Sequence, residues 1–260
     1  MIAVFSGTGN SMMVARLLSR ALGDRIVSYP SVPHPAEGER MVWVFPVYAW
    51  NIPPNVRRVM ERCLVTRPGA VHWTVMTCGD DTGLTARSWR RLVTRYGETA
   101  AQAFSVQMPN TFVTLPGFDT DPIEVEQRKL DAAPARVADI ARHIAAGLPA
   151  GADDVVRGSF PALKSGPVNA FFRRFLMSPK PFGPTDACVG CGICASMCPE
   201  HNIILDENRR PRWGANCDFC LRCYHACPHH AVAYGRATRH KSRYTALLRL
   251  VTPDKRNGRH

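Results

Sequence analysis

One cysteine spacing occurs twice in this chain and leaves little freedom in what its last third can become. Cys188, Cys191, Cys194 and Cys198-Pro199 read C-x2-C-x2-C-x3-C-P, and Cys217, Cys220, Cys223 and Cys227-Pro228 repeat it. Three cysteines this close can wrap one iron–sulfur cubane, while the fourth, carried away by the turn before proline, reaches another. The spacing therefore predicts one [4Fe–4S] cluster on Cys188, Cys191, Cys194 and Cys227, and a second on Cys217, Cys220, Cys223 and Cys198. A pair of structural zinc sites is the competing reading. Zinc draws two C-x2-C knuckles from separated segments and has no use for a third cysteine or for C-P. Gly190, Gly192, Ala195 and Ser196 are small enough to let backbone N–H groups approach the sulfurs. Ile193, Ile203, Phe219 and Val232 are candidates for an apolar shell, or for ordinary packing.

This repeat resembles the bacterial ferredoxins that carry two clusters, and the resemblance spans about residues 186–236. It predicts a small α+β module there.

The chain ahead of it follows another rhythm. Residues 2–5 read as a buried strand. Val14, Leu17, Leu18, Ala21 and Leu22 then recur at helical spacing up to Gly23. A weaker strand follows at 25–29 and an apolar one at 41–47. Val56, Val59, Met60, Cys63 and Leu64 form a second helical face after Pro53-Pro54. Strands are expected at 72–78 and 103–108, with a helix between them through about residue 96. Asp121-Pro122 opens a last helix, with Pro134 expected to kink it and Val137, Ile140, Ala141 and Ile144 on its buried face. Five strands alternating with helices imply a parallel sheet covered on both faces. The expected divisions are 1–147 for this domain, 148–185 for a linker with a short amphipathic helix, 186–236 for the cysteine module and 237–260 for a basic tail.

Directly after the first strand stands Ser6, Gly7, Thr8, Gly9, Asn10 and Ser11. It is not G-x-G-x-x-G, because Met12 sits where the last glycine belongs, and no G-K-[ST] follows. What remains is a loop of backbone N–H groups and small hydroxyl or amide side chains leading into a helix N-terminus. That arrangement suits a phosphate, here without a neighbouring Lys or Arg in the sequence. Two further loops follow the third and fourth strands: Pro46, Val47, Tyr48, Ala49, Trp50 and Asn51, then Thr77, Cys78, Gly79 and Asp80. Tyr48 and Trp50 offer flat faces to an aromatic ring, and Cys78-Gly79-Asp80 offers edge contacts. Each aromatic taken singly is equally a packing residue, and Cys78 is equally a structural thiol at a strand end.

Together these loops resemble the flavodoxin family, which binds FMN. The resemblance implies a doubly wound α/β sheet of order 2-1-3-4-5, with the FMN phosphate in the first loop and the ring between the other two. One departure is that Thr82, Gly83 and Leu84 stand where a second stacking aromatic is common. With the cysteine module, residues 1–236 resemble the flavodoxin–ferredoxin fusions called ferrodoxins, which are found largely in anaerobic microbes. That likeness implies FMN, two [4Fe–4S] clusters, and a role as an electron carrier between redox protein partners.

Charge and hydropathy narrow the remaining classes. Residues 157–260 carry 17 basic and 6 acidic side chains and so hold eleven of the twelve net positive charges. Two oxidised clusters with their thiolates offset about four of these. The basic residues are not interleaved with any recognisable nucleic-acid element, so nucleic acid is not expected. Arg236, Arg239, Lys241, Arg243 and Arg249 make the tail a candidate for binding an acidic redox partner, against the plainer reading of a solvated end. No stretch reaches the roughly 18–20 apolar residues that cross a bilayer, and no leader is evident, so a cytoplasmic protein without membrane insertion is expected. The other functional class is a flavin-dependent reductase of a small molecule, with Asp80, Asp81 and Tyr48 as candidate proton donors.

Overall fold

Ile2, Ala3 and Val4 form β1 (Ile2–Val4), and all three are buried because a strand lies on each side. The computed structural model describes residues 1–65, 69–147 and 151–244. These fall into two units. The first holds Met1–Ser6, Asn10–Pro109 and Pro122–Leu176; the second holds Gly7–Gly9, Asn110–Asp121 and the chain from Met177 onward.

In the first unit β1 pairs in parallel with β2 (Ile26–Ser28) and β3 (Arg40–Pro46), with Ile2 opposite both Ile26 and Val42. β4 (Val71–Cys78) and β5 (Thr99–Gln107) extend the sheet to the order β2-β1-β3-β4-β5. That is the doubly wound order which the sequence resemblance implies. Val42 and Val44 join one apolar cluster with Val14, Ala15 and Leu18 of α1 (Asn10–Leu22) and Val137, Ile140, Ala141 and Ile144 of α4 (Ile123–Ala146). Met41, Trp43 and Phe45 alternate to the opposite face and are equally buried. α2 (Pro54–Leu64) and α3 (Thr85–Arg95) complete the crossovers, burying Val59, Met60, Trp89 and Val93. α4 runs through Pro134 without a break and ends at Gly147 in the left-handed region, φ 58°.

Residues 151–176, within the stretch read from sequence as a linker, belong to the first unit. Asp154 forms a parallel bridge with Phe104 at the edge of β5. Helical turns of α and π type then fill 161–176, with a kink at Gly166 (φ −97°, ψ −107°).

The second unit contains two small antiparallel ribbons. β6 (Phe182–Pro184) pairs with β9 (Val232–Tyr234), and β7 (Ile203–Leu205) pairs with β8 (Pro211–Trp213). Single helical turns at Ile193–Ser196 and Arg222–His225 follow the two cysteine loops. Phe182, Phe219, Tyr224, Val232 and Tyr234 are the large apolar side chains of its core.

Candidate functional site

In the second unit the C-x2-C-x2-C loops turn sharply because Gly190 and Gly192 adopt φ of 70° and 80°, and Phe219 and Leu221 take φ of 58° without the benefit of glycine. The result is that Cys188, Cys191, Cys194 and Cys227 line one cavity. Cys198, Cys217, Cys220 and Cys223 line another. Each quartet takes three cysteines from one motif and the fourth from the other. Among the described residues no three Cys, His, Asp or Glu side chains stand close enough to share one ion.

Backbone N–H groups point at the sulfurs: Ala231 N–H at Cys227 Sγ (3.2 Å), and Asn202 and Phe219 N–H at Cys198 and Cys217 Sγ (3.4 Å each). Burial pushes the Cys194 and Cys217 thiols up to about 11 and the Cys220 thiol up to about 12. Binding as thiolates therefore requires a strong cationic centre, which an iron cluster supplies. The Trp213 indole Nε1, in the wall of the second cavity, is buried and makes no well-formed hydrogen bond to protein. A hydrogen-bond donor waiting beside four sulfurs fits an iron–sulfur cluster.

The rest of the second unit is tied to the Arg222–His225 turn. His225 is fully buried, with Nε2 donating to the Thr111 carbonyl (2.8 Å) and Nδ1 accepting from Tyr244 N–H (3.1 Å). Burial first, then the Arg243 charge, lowers it to about 4, while the Thr111 bond opposes this; it is a neutral structural clamp. Arg222 Nε donates to the Gly7 carbonyl (3.0 Å) and Nη1 to the Met197 carbonyl (3.2 Å). The sequence shows no Lys or Arg near Gly7. Within the second unit a guanidinium reaches that residue from position 222, which no local pattern could reveal. Lys241 and Arg243 of the expected tail are engaged as well, donating to the carbonyls of Phe118 (2.6 Å) and of Val232 (2.7 Å). Arg249 lies outside the described residues.

Of the residues expected to hold a mononucleotide, Ser6, Asn10, Ser11 and the 46–51 and 77–80 loops stand in the first unit at the carboxyl ends of β1, β3 and β4, while Gly7, Thr8 and Gly9 fall in the second unit. Ser6, Thr8, Asn10 and Ser11 are each buried, and Asn10 opens α1. Ser11 Oγ is 2.8 Å from Thr77 Oγ1, and Val47 N–H donates to the Thr77 carbonyl (2.8 Å). Parts of the first, second and third loops are thereby joined. Buried hydroxyl and amide donors beside a helix N-terminus fit a phosphate. Asn55 Nδ2, near the start of α2, is a further buried donor without a protein partner. Burial, reinforced by Asp81 and then Asp80, pushes the Cys78 thiol up to about 12, so it stays neutral. Cys63 is buried in α2 and is a core residue.

The loop after β3 holds a feature that sequence reasoning did not foresee. Tyr48 and Asn51 exchange both backbone hydrogen bonds at 3.1 Å, closing a tight turn with Ala49 at φ 46° and Trp50 at φ 57°. Neither is glycine, and left-handed backbone costs about 1–2 kcal/mol per residue. The helical turns of 161–176 hold the turn in place. Asn169 Nδ2 donates to the Ala49 carbonyl (2.7 Å) and Ser165 Oγ to the Trp50 carbonyl (2.9 Å). The Trp50 ring meets Phe172 edge-on at 6.0 Å, with Lys164 Nζ 5.5 Å from its centroid. Ser165 Oγ also accepts from Leu84 N–H (2.7 Å), so one hydroxyl anchors the loops after β3 and β4 together.

Residues 179–232, which include both cysteine motifs, match the family described as the 4Fe-4S dicluster domain. No curated protein matches the chain. The match and the geometry agree on iron–sulfur chemistry, whose business is electron transfer. A parallel α/β sheet of order 2-1-3-4-5 is thus followed in this chain by a small ferredoxin-like 4Fe–4S domain.

Proposed function

We propose that the protein is an electron-transfer iron–sulfur flavoprotein, passing electrons between FMN and two [4Fe–4S] clusters and on to external redox protein partners. The observation that carries this reading is the gathering of eight cysteines into two quartets, each completed by the other motif's last cysteine. The parallel sheet supports the flavin half, because ligands of such sheets sit at the carboxyl ends of the strands where the order reverses. There the buried donors Ser6, Thr8, Asn10 and Ser11 would hold the phosphate, and the Pro46–Asn51 and Thr77–Asp80 loops would border the ring. Bound FMN exchanges electrons singly or in pairs and each cluster one at a time, so together they interconvert a pair and two singles. The protein's own part is to fix the thiolates, supply N–H donors to sulfur, and hold the Ala49–Trp50 turn rigid. No helix among the described residues is long and apolar enough to cross a membrane, and the partners proposed are other redox proteins.

A reductase would need a proton donor over the ring. Asp81 is instead bound by Lys164 Nζ at 2.5 Å and accepts from Gly83 N–H, which gives it an anchoring role. Anaerobic purification with iron, sulfide and flavin analysis tests the carrier reading. About eight irons per FMN are expected; zinc in their place, or cubanes without flavin, would overturn it.

A further inference from the structure

The β7–β8 hairpin stands between the two cavities. Leu205 and Pro211, paired at one end, line the cavity of the first quartet, while Ile203 and Trp213, paired at the other, line that of the second. The Trp213 ring is pinned by stacking on Phe182, with centroids 5.9 Å apart and planes 18° apart. Its Nε1 is buried and makes no well-formed hydrogen bond to protein, although buried indole N–H groups ordinarily find a partner. Of the four thiols in this wall, Cys223 is the one whose ionised form the indole N–H favours, against the burial that raises it.

Building on the carrier reading above, we infer that the Trp213 indole N–H donates a hydrogen bond to the cluster held by Cys198, Cys217, Cys220 and Cys223, and raises that cluster's reduction potential. A donor aimed at the sulfur of an anionic cluster stabilises the more negative, reduced form more than the oxidised one. Asp218 and Arg222 bring opposite charges to the same wall, and a substitution at position 213 leaves both in place. The cavity of the first quartet has apolar walls from Val189, Ile193, Leu205 and Val232, with His229 its polar side chain, and no indole among the described residues lines it. Trp213 is therefore a neutral donor that the second cavity has and the first lacks.

The test is a redox titration of the full chain, followed by electron paramagnetic resonance, on wild type and Trp213→Phe. Phenylalanine keeps an aromatic ring to stack on Phe182 and removes the N–H. One cluster's reduction equilibrium is expected to move about tenfold toward the oxidised form, about 59 mV for one electron, while the other stays where it was. Unchanged potentials in a variant that carries full iron overturn the inference. Should Trp213→Phe fail to take up iron, the reduced wild-type protein, labelled with a magnetic nitrogen isotope at the indole, decides by hyperfine spectroscopy. An isotropic coupling from indole nitrogen to the cluster supports the bond, and its absence overturns it. Iron analysis of the wild type comes first. A chain without cubanes sinks the carrier reading together with this one, whereas cubanes without the shift sink this inference alone.

Discussion

Ser165 Oγ donates to the Trp50 carbonyl at 2.9 Å, across 115 residues of sequence. The same hydroxyl accepts from Leu84 N–H, so Ser165→Ala strips a partner from two loops at once. The expected cost is about 1–3 kcal/mol in urea denaturation, the range for leaving buried polar groups unpaired. Under the flavin reading, the variant also loses FMN more readily on dialysis than wild type. A variant with unchanged stability would show that the clamp is ornamental.

Gly83 sits at φ +54°, and a Cβ there would collide with Ser165 Oγ and lie 2.9 Å from Trp50 Cβ. Gly83→Ala therefore meets both a backbone and a packing penalty. Together they should cost about 2–4 kcal/mol. Intrinsic fluorescence should change with it, because Trp50 is the side chain displaced. Gly38→Ala, at a comparable φ of +69° with nothing within 4 Å, serves as the control that carries the backbone term alone.

The exchange of cysteines between motifs has a spectroscopic signature. Cys227→Ala and Cys188→Ala are expected to abolish the same cluster, although they lie in different motifs, and Cys198→Ala should match Cys217→Ala. Iron content falls by about four per chain in each case. Cys63→Ala, in the core of α2, leaves iron unchanged. If Cys227→Ala instead paired with Cys217→Ala, the quartets would be wrongly drawn.

A buried relay at the opposite end of the sheet predicts a pH dependence. Trp43 Nε1 donates to His72 Nδ1 (3.0 Å), and His72 Nε2 meets Glu98 Oε2 (3.2 Å). Burial lowers the His72 pKa, and Glu98 only partly opposes it. The unfolded chain therefore binds a proton that the folded chain resists, so His72 costs stability as pH falls below the ordinary histidine value of about 6.5. Denaturation midpoints at pH 7.5 and 5.5 should fall further apart in wild type than in His72→Gln, and equal slopes would remove His72 as a cause.

How much of this was legible beforehand follows from the reach of each signal. The cysteine repeat is local and chemically exacting, so the 40 residues of sequence from Cys188 to Cys227 carried its meaning. Helix α1 announced itself through Val14 and Leu18, and the strand order came with the loops that follow β1, β3 and β4. The clamp of Ser165 and Asn169 on the Ala49–Trp50 turn did not show. Its partners are 115 and 120 positions apart, and Ala49 and Trp50 carry no glycine to betray a left-handed turn. Arg222 was hidden in the same way, since its contact with Gly7 spans 215 positions. Trp213 was invisible for another reason: an indole in a short strand looks like packing until its buried nitrogen is seen in the wall of four cysteines.

Each quartet borrows its last sulfur from the neighbouring motif. A gene fragment bearing only one motif would therefore encode three of the four cysteines of its own socket. Cutting the chain between the motifs leaves each cavity short of one cysteine.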